Sequence, residues 1–164
     1  MQAKRIQLLQ GTPLFGGILD TTIDYLLCNN CTVRIADEEF FFHEGDEADG
    51  IYILESGSVA VLKDWQKQQY LLSRLAAGDC FGEIAMLDLG QRGASVLALE
   101  DCTALRIDNN RLFGLYEQDI EQFTLIQMNL ARELARRLRA ADERLFQNHI
   151  QAKNINGEYR FVTM

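Results

Sequence analysis

GIYILESGSVAVLKD, residues 50–64, sets two β-rich apolar runs on either side of Glu55-Ser56-Gly57-Ser58. Isoleucine, valine and tyrosine suit a pleated surface, and a glycine between two such runs marks a turn, so the stretch predicts a β-hairpin. The same texture continues in both directions. Short apolar runs (VRIA, EFFFHE, QYLLSRL, ASVLALE, CTALRID) fill residues 33–107, punctuated by Gly45, Gly50, Gly57, Gly78, Gly82, Gly90 and Gly93. Many short strands with glycine turns predict a sandwich or a small barrel.

The flanks read differently. Before the strands, Thr12-Pro13 has the form of a helix cap with its first turn, and Asp20 precedes the helix-like TTIDYLL. After Asp108, NNRLFGLYEQ predicts a short helix. A long one follows from about Asp119 to Gln147, with Leu130, Leu134, Leu138, Ala141 and Leu145 spaced to share one face. That stripe can pack on the barrel or on its copy in a second chain. The predicted organisation is one folded domain: a helical lead-in at 1–32, a barrel at 33–107, hinge and long helices at 108–147, and a short polar tail at 148–164.

With 164 residues, 48% of them hydrophobic, the chain can bury a substantial core. A formal net charge of −8 disfavours nonspecific attraction to nucleic acid or anionic membrane. Arg132, Arg136, Arg137, Arg139 and Arg144 alternate with Glu133, Asp142 and Glu143, the pattern of a solvated helix. No apolar run reaches the roughly 18 residues of a membrane helix, and MQAKRIQLLQGTP is too short in apolar length for a signal peptide, so a soluble cytoplasmic protein is expected.

FGEIAMLDLGQRGAS, residues 81–95, points to an anion site. Glycine lets backbone N–H groups approach a phosphate closely, arginine can hold two phosphate oxygens at once, and a carboxylate accepts from a sugar hydroxyl. Gly82, Gly90, Gly93, Arg92 and Glu83 supply these parts. On the residues alone, a surface Glu83–Arg92 ion pair worth about 0–1 kcal/mol is an equal alternative.

The remaining chemistry-bearing residues form no comparable set. Cys28-Asn29-Asn30-Cys31 is a Cys-x-x-Cys, but Cys80 and Cys102 fall within strand patterns, and an iron–sulfur cluster needs four converging thiolates. His43 and His149 are too few and too far apart for a catalytic metal with about three protein ligands. No nucleophile–base pair stands out. Neither a metal nor an enzyme activity is expected, and His43 is assigned to a turn or the surface.

The sequence resembles the cyclic nucleotide-binding domain family, which includes bacterial catabolite activator proteins and the regulatory subunits of cyclic AMP-dependent kinase. FFFHEGDEADGIYILESGSVAVLKD is similar to the family's first barrel half. LAAGDCFGEIAMLDLGQRGASVLALEDCTALRID is similar to its phosphate-binding cassette and following strands, and NLARELARRLRAADERL to its dimer helix. The resemblance implies an α+β, mainly β fold: an eight-stranded jelly-roll barrel with N-terminal helices and a long C-terminal helix.

It also implies a ligand, cyclic AMP or cyclic GMP, with Glu83 accepting the ribose 2′-hydroxyl and Arg92 binding the cyclic phosphate. Backbone contacts are expected at Gly82, Gly93 and Ala94, with Ile84 and Ala85 completing the ligand-binding set. Gly93 stands where bacterial members often carry serine or threonine. Ala141 and Asp142 fall where the catabolite activator has two hydroxyl residues against adenine, so Asp142 is assigned to guanine's ring N–H and amino group. Family regulators of transcription continue into a helix-turn-helix, for which NHIQAKNINGEYRFVTM is too short, and direct DNA binding is not expected. The implied protein is a homodimeric sensor that signals to an unidentified protein partner, with Phe113 and Leu115 coupling the cassette to the long helix. The alternative is a dimerising interaction module whose cassette binds nothing.

Overall fold

A computed structural model of the protein describes residues 2–27 and 31–153. Cys28 of the Cys-x-x-Cys and residues 154–164 of the expected tail lie outside them. Two helices, α1 (Gln2–Gln10) and α2 (Asp20–Leu26), come first. The strands are β1 (Thr32–Ile35), β2 (Phe40–Phe42), β3 (Gly50–Ser56), β4 (Ser58–Trp65), β5 (Gln68–Ala76), β6 (Cys80–Phe81), β7 (Ser95–Ala98) and β8 (Cys102–Asp108). A single turn of helix, α3 (Ile84–Leu87), sits between β6 and β7, and α4 (Asn109–Gln118) and α5 (Ile120–Lys153) end the order. Helix α5 runs six residues beyond the Gln147 at which the sequence pattern ends it.

The strands form two antiparallel four-stranded sheets, β1-β8-β3-β6 and β2-β7-β4-β5. This is the eight-stranded jelly roll, mixed α+β and mainly β. Both sheets feed one core, with Tyr52 and Leu54 from β3, Phe81 from β6 and Ala104 from β8 meeting Val59 from β4 and Val96 and Ala98 from β7. Ile51 and Ile53 alternate with Tyr52 and Leu54, point to the other face, and are equally buried. A strand covered on both faces reads as an unbroken apolar run, which is how GIYIL reads.

The hairpin predicted at residues 50–64 does not form. Strand β3 pairs with β6 and β8, whereas β4 pairs with β5 and β7. Gly57 instead carries the chain from one sheet to the other. Its φ is +90°, and a Cβ there would lie 2.6 Å from the Cys102 Sγ and 2.9 Å from the Asp101 carbonyl oxygen. The hairpin is β4–β5, closed where Trp65 pairs with Gln68. Its two-residue turn holds Gln66 at φ 50° and Lys67 at φ 65°. That is the type I′ geometry, normally marked by Asn-Gly, and nothing in Gln66-Lys67 announces it.

By contact the chain divides at Leu130/Ala131. In the first unit, Arg5 of α1 donates from Nε to the Glu55 carboxylate at 3.0 Å and from Nη2 to the Thr32 hydroxyl at 2.7 Å, which seats the helix on β1 and β3. Asn129 Nδ2 donates to the carbonyls of Leu14 and Gly16, and the Leu19 N–H donates to Gln122 Oε1. These bonds tie the N-terminal segment to the root of α5. The second unit is the rest of α5, in which Glu133 pairs with Arg136 and Arg137 and Leu138 and Leu145 are exposed. Among the described residues, no helix is long and apolar enough to cross a membrane.

Left-handed backbone costs a residue with a Cβ roughly 1–2 kcal/mol. Replacing Gln66-Lys67 by Asn-Gly is therefore expected to stabilise the protein by about 1 kcal/mol. Urea denaturation of the double variant against the wild type measures this, and an unchanged midpoint would refute the turn assignment.

Candidate functional site

The site is built by the connection from β6 to β7 and by the turn that leads into β3. After Phe81 the chain bends at Gly82, φ +80°, and Glu83 opens the short helix α3. The connection returns through Leu89, at φ 53°, to Arg92. Two backbone bonds brace it against residues 45 and 46: the Gly45 N–H donates to the Arg92 carbonyl at 2.8 Å, and the Arg92 N–H to the Asp46 carbonyl at 2.9 Å. Both ends of the Arg92 residue are thus fixed before its side chain makes a contact.

That side chain is enclosed, with Arg92 only 2% exposed. Nη1 donates to the Gly82 carbonyl at 2.8 Å, and Nη2 to the Gly50 carbonyl at 2.9 Å and to Asp49 Oδ1 at 2.7 Å. The guanidinium carbon lies 4.1 Å from the centre of the Phe42 ring, within cation–π range. Nε is buried and has no hydrogen-bond partner among the described residues. A Cβ on Gly82 would come within 2.5 Å of Nη1, so glycine is required there by the arginine as well as by its φ.

Glu83, 2% exposed, is as enclosed as Arg92. Ala85 is buried and Ile84 exposed on α3. Gly93 is exposed with open space in its Cβ direction, and Ala94 is half-buried. The sequence-assigned residues 82–85 and 92–94 therefore fall on one connection, and Arg92 and Gly82 are in direct contact. Asp142 is exposed on the part of α5 that forms the second unit. Of the two coupling candidates on α4, Leu115 is buried and Phe113 is half exposed.

Sequence reading missed the surroundings of Arg92. Asp49 also accepts from the Tyr52 hydroxyl, 3.1 Å from each carboxylate oxygen, and from Arg106 Nη1 at 3.1 Å. Burial first, and then the Asp49 charge, push the Tyr52 phenol up to about 12. Lys63 of β4 donates to the Gly93 carbonyl at 2.9 Å and pairs with Glu44. The Lys63 hydrogen bond is the main reason that the Glu44 carboxyl is held below its usual range. In the sequence Asp49-Gly50 carries only a turn signal, and nothing there links it to a residue 43 positions away.

Cys31, Cys80 and Cys102 are buried, and the described residues contain no cluster of metal-ligating side chains. His43 is exposed in a turn with Asp46 and stacks on Phe40, their ring centres 4.3 Å apart.

A family model described as a cyclic nucleotide-binding domain matches residues 32–119. The cyclic AMP receptor protein of Thermus thermophilus is 33% identical over 135 residues, covering 82% of this chain and 61% of its own length. The chain thus spans about three fifths of that curated relative. A crystal structure of the Thermus thermophilus catabolite activator protein superposes with a TM-score of 0.69 at 32% identity, over 84% of this chain and 63% of that one. A cyclic nucleotide-binding domain from Methylobacillus flagellatus has a TM-score of 0.76 at 21% identity, over 90% and 83% of the two chains, and shares the fold.

Two outcomes are expected. Gly82→Ala forces left-handed backbone and displaces the guanidinium, lowering stability by about 2 kcal/mol or more in urea denaturation. A wild-type midpoint would mean that Arg92 is not held as described. Tyr52 ionises at about 10 in the unfolded chain and at about 12 in the folded one. Its contribution to stability is complete below pH 10 and is lost as the pH rises towards 12. Tyr52→Phe should therefore lose less stability than the wild type between pH 10 and 12, and parallel losses would contradict the assignment.

Proposed function

Because this chain belongs to the cyclic nucleotide-binding domain family, whose model covers residues 32–119, we propose that its barrel is a regulatory sensor that binds a cyclic nucleotide at residues 82–94. One observation carries the reading: the buried Nε–H of Arg92, a charged donor without an acceptor among the described residues, on the connection that also holds Glu83. An unspent buried donor on a cation is costly unless something accepts from it, and a phosphate oxygen is a strong acceptor.

In this reading Arg92 binds the cyclic phosphate with the backbone N–H groups of Gly93 and Ala94, and Glu83 accepts the ribose 2′-hydroxyl. Gly82, Ile84 and Ala85 shape the wall of the site. The ligand is cyclic AMP, which the name of the Thermus relative contains, or cyclic GMP. Asp142 is the candidate for base selection, favouring guanine through its ring N–H and amino group. The protein does no chemistry on its ligand. It works in the cytoplasm as a homodimer through α5, and the ligand's preference for one arrangement of α4 and α5 shifts the equilibrium presented to a protein partner.

Titration calorimetry with cyclic AMP and cyclic GMP, after removal of any copurified nucleotide, tests the reading on the wild type, Arg92→Ala and Arg92→Lys. Binding at micromolar strength or better, about −8 kcal/mol, is expected. Arg92→Ala should abolish it and Arg92→Lys weaken it, because an ammonium cannot reproduce the fork of donors. No binding of either nucleotide would leave a dimerising interaction module as the account. Equal affinities for the two nucleotides would remove Asp142 from base selection.

A further inference from the structure

The Asp49 carboxylate is shared by two guanidiniums in unlike surroundings. Arg92 holds Oδ1 at 2.7 Å and Arg106 holds Oδ2 at 3.1 Å. The Arg92 side chain is 1% exposed, against 47% for Asp49 and 36% for Arg106. Arg106 is itself fixed, because it lies on β8 directly across from Tyr52 and its Nε is 3.0 Å from Asp108 Oδ1. Of the three charges only Arg92 is enclosed, and Asp49 and Arg106 both reach solvent.

An anion that accepts from Nη2 of Arg92 as well as from Nε must compete with Asp49 for it. Once displaced, the carboxylate would stand beside a bound phosphate, and two like charges in a partly desolvated site repel strongly unless one is neutralised. Arg106 is already in contact with that carboxylate and need not move to neutralise it. We infer that Arg106 is a positioning residue for the anion site, holding the Asp49 carboxylate so that Arg92 can be released to a ligand. The inference rests on the reading of residues 82–94 as a cyclic nucleotide site.

A simple attraction between Arg106 and the ligand's charge would not depend on Asp49, whereas the positioning role requires it. Calorimetry with cyclic AMP and cyclic GMP on the full chain therefore compares wild type, Arg106→Ala, Arg106→Lys, Asp49→Asn and the Arg106→Ala/Asp49→Asn double variant. Arg106→Ala should weaken binding about threefold to tenfold, Arg106→Lys should restore most of it, and in the Asp49→Asn background Arg106→Ala should change affinity less than about twofold. An unchanged Kd in Arg106→Ala, or the same loss in both backgrounds, overturns the inference.

A second readout needs no ligand. Without Arg106, Arg92 is the one cation among the described residues left in contact with Asp49, so ¹⁵N NMR of the ligand-free protein should show slower rotation of the Arg92 guanidinium in Arg106→Ala and wild-type rotation in Arg106→Lys. Unchanged rotation overturns the shared carboxylate. If rotation slows while the wild type binds neither nucleotide, the nucleotide reading fails and the shared carboxylate stands.

Discussion

A guanidinium enclosed inside a barrel keeps its full charge, so the protein around it must supply acceptors or the fold bears a large desolvation cost. Arg92 meets that requirement with two backbone carbonyls, Gly82 and Gly50, one carboxylate, Asp49, and the face of Phe42. These come from three separate stretches of chain, at residue 42, residues 49–50 and residue 82. The Arg92 side chain therefore joins the connection at residues 82–94 to the turn into β3, and its Nε has no acceptor among the described residues.

The barrel makes this arrangement possible. Strand β3 is buried on both faces and paired on both edges, so Gly50 and Asp49 at its start are presented at a fixed place. The backbone bonds between Arg92 and residues 45 and 46 set where the side chain begins. Asp49 then connects the interior to the surface through Tyr52, Arg106 and Asp108, the last at the N-cap of α4. A change at the buried cation has a short hydrogen-bonded route to the helix that follows the barrel.

Much of this was legible in the sequence because it is local. The apolar runs and glycine turns announced a β-rich barrel, and Gly82, Glu83 and Arg92, singled out together in the sequence, fall on one connection. What could not be read was pairing between distant segments. GIYILESGSVAVLKD has the composition of a hairpin, yet Gly57 switches sheets, and only long-range pairing distinguishes the two. The true hairpin turn at Gln66-Lys67 is imposed by the strands it joins against the preference of its residues. Asp49 and Arg106 look like ordinary surface charges until the fold sets them beside Arg92. The end of α5 was misplaced because its apolar stripe fades while its backbone remains helical to Lys153.

The central claim is that Arg92 keeps its buried Nε–H for an anionic ligand, and the resonance of that proton tests it most directly. In ¹H–¹⁵N spectra of the protein titrated with a cyclic nucleotide, the account predicts a saturable shift of the Arg92 Nε–H, assigned by its loss in Arg92→Lys, as a phosphate oxygen becomes its acceptor. A resonance that stays in place at millimolar cyclic AMP and cyclic GMP would contradict it.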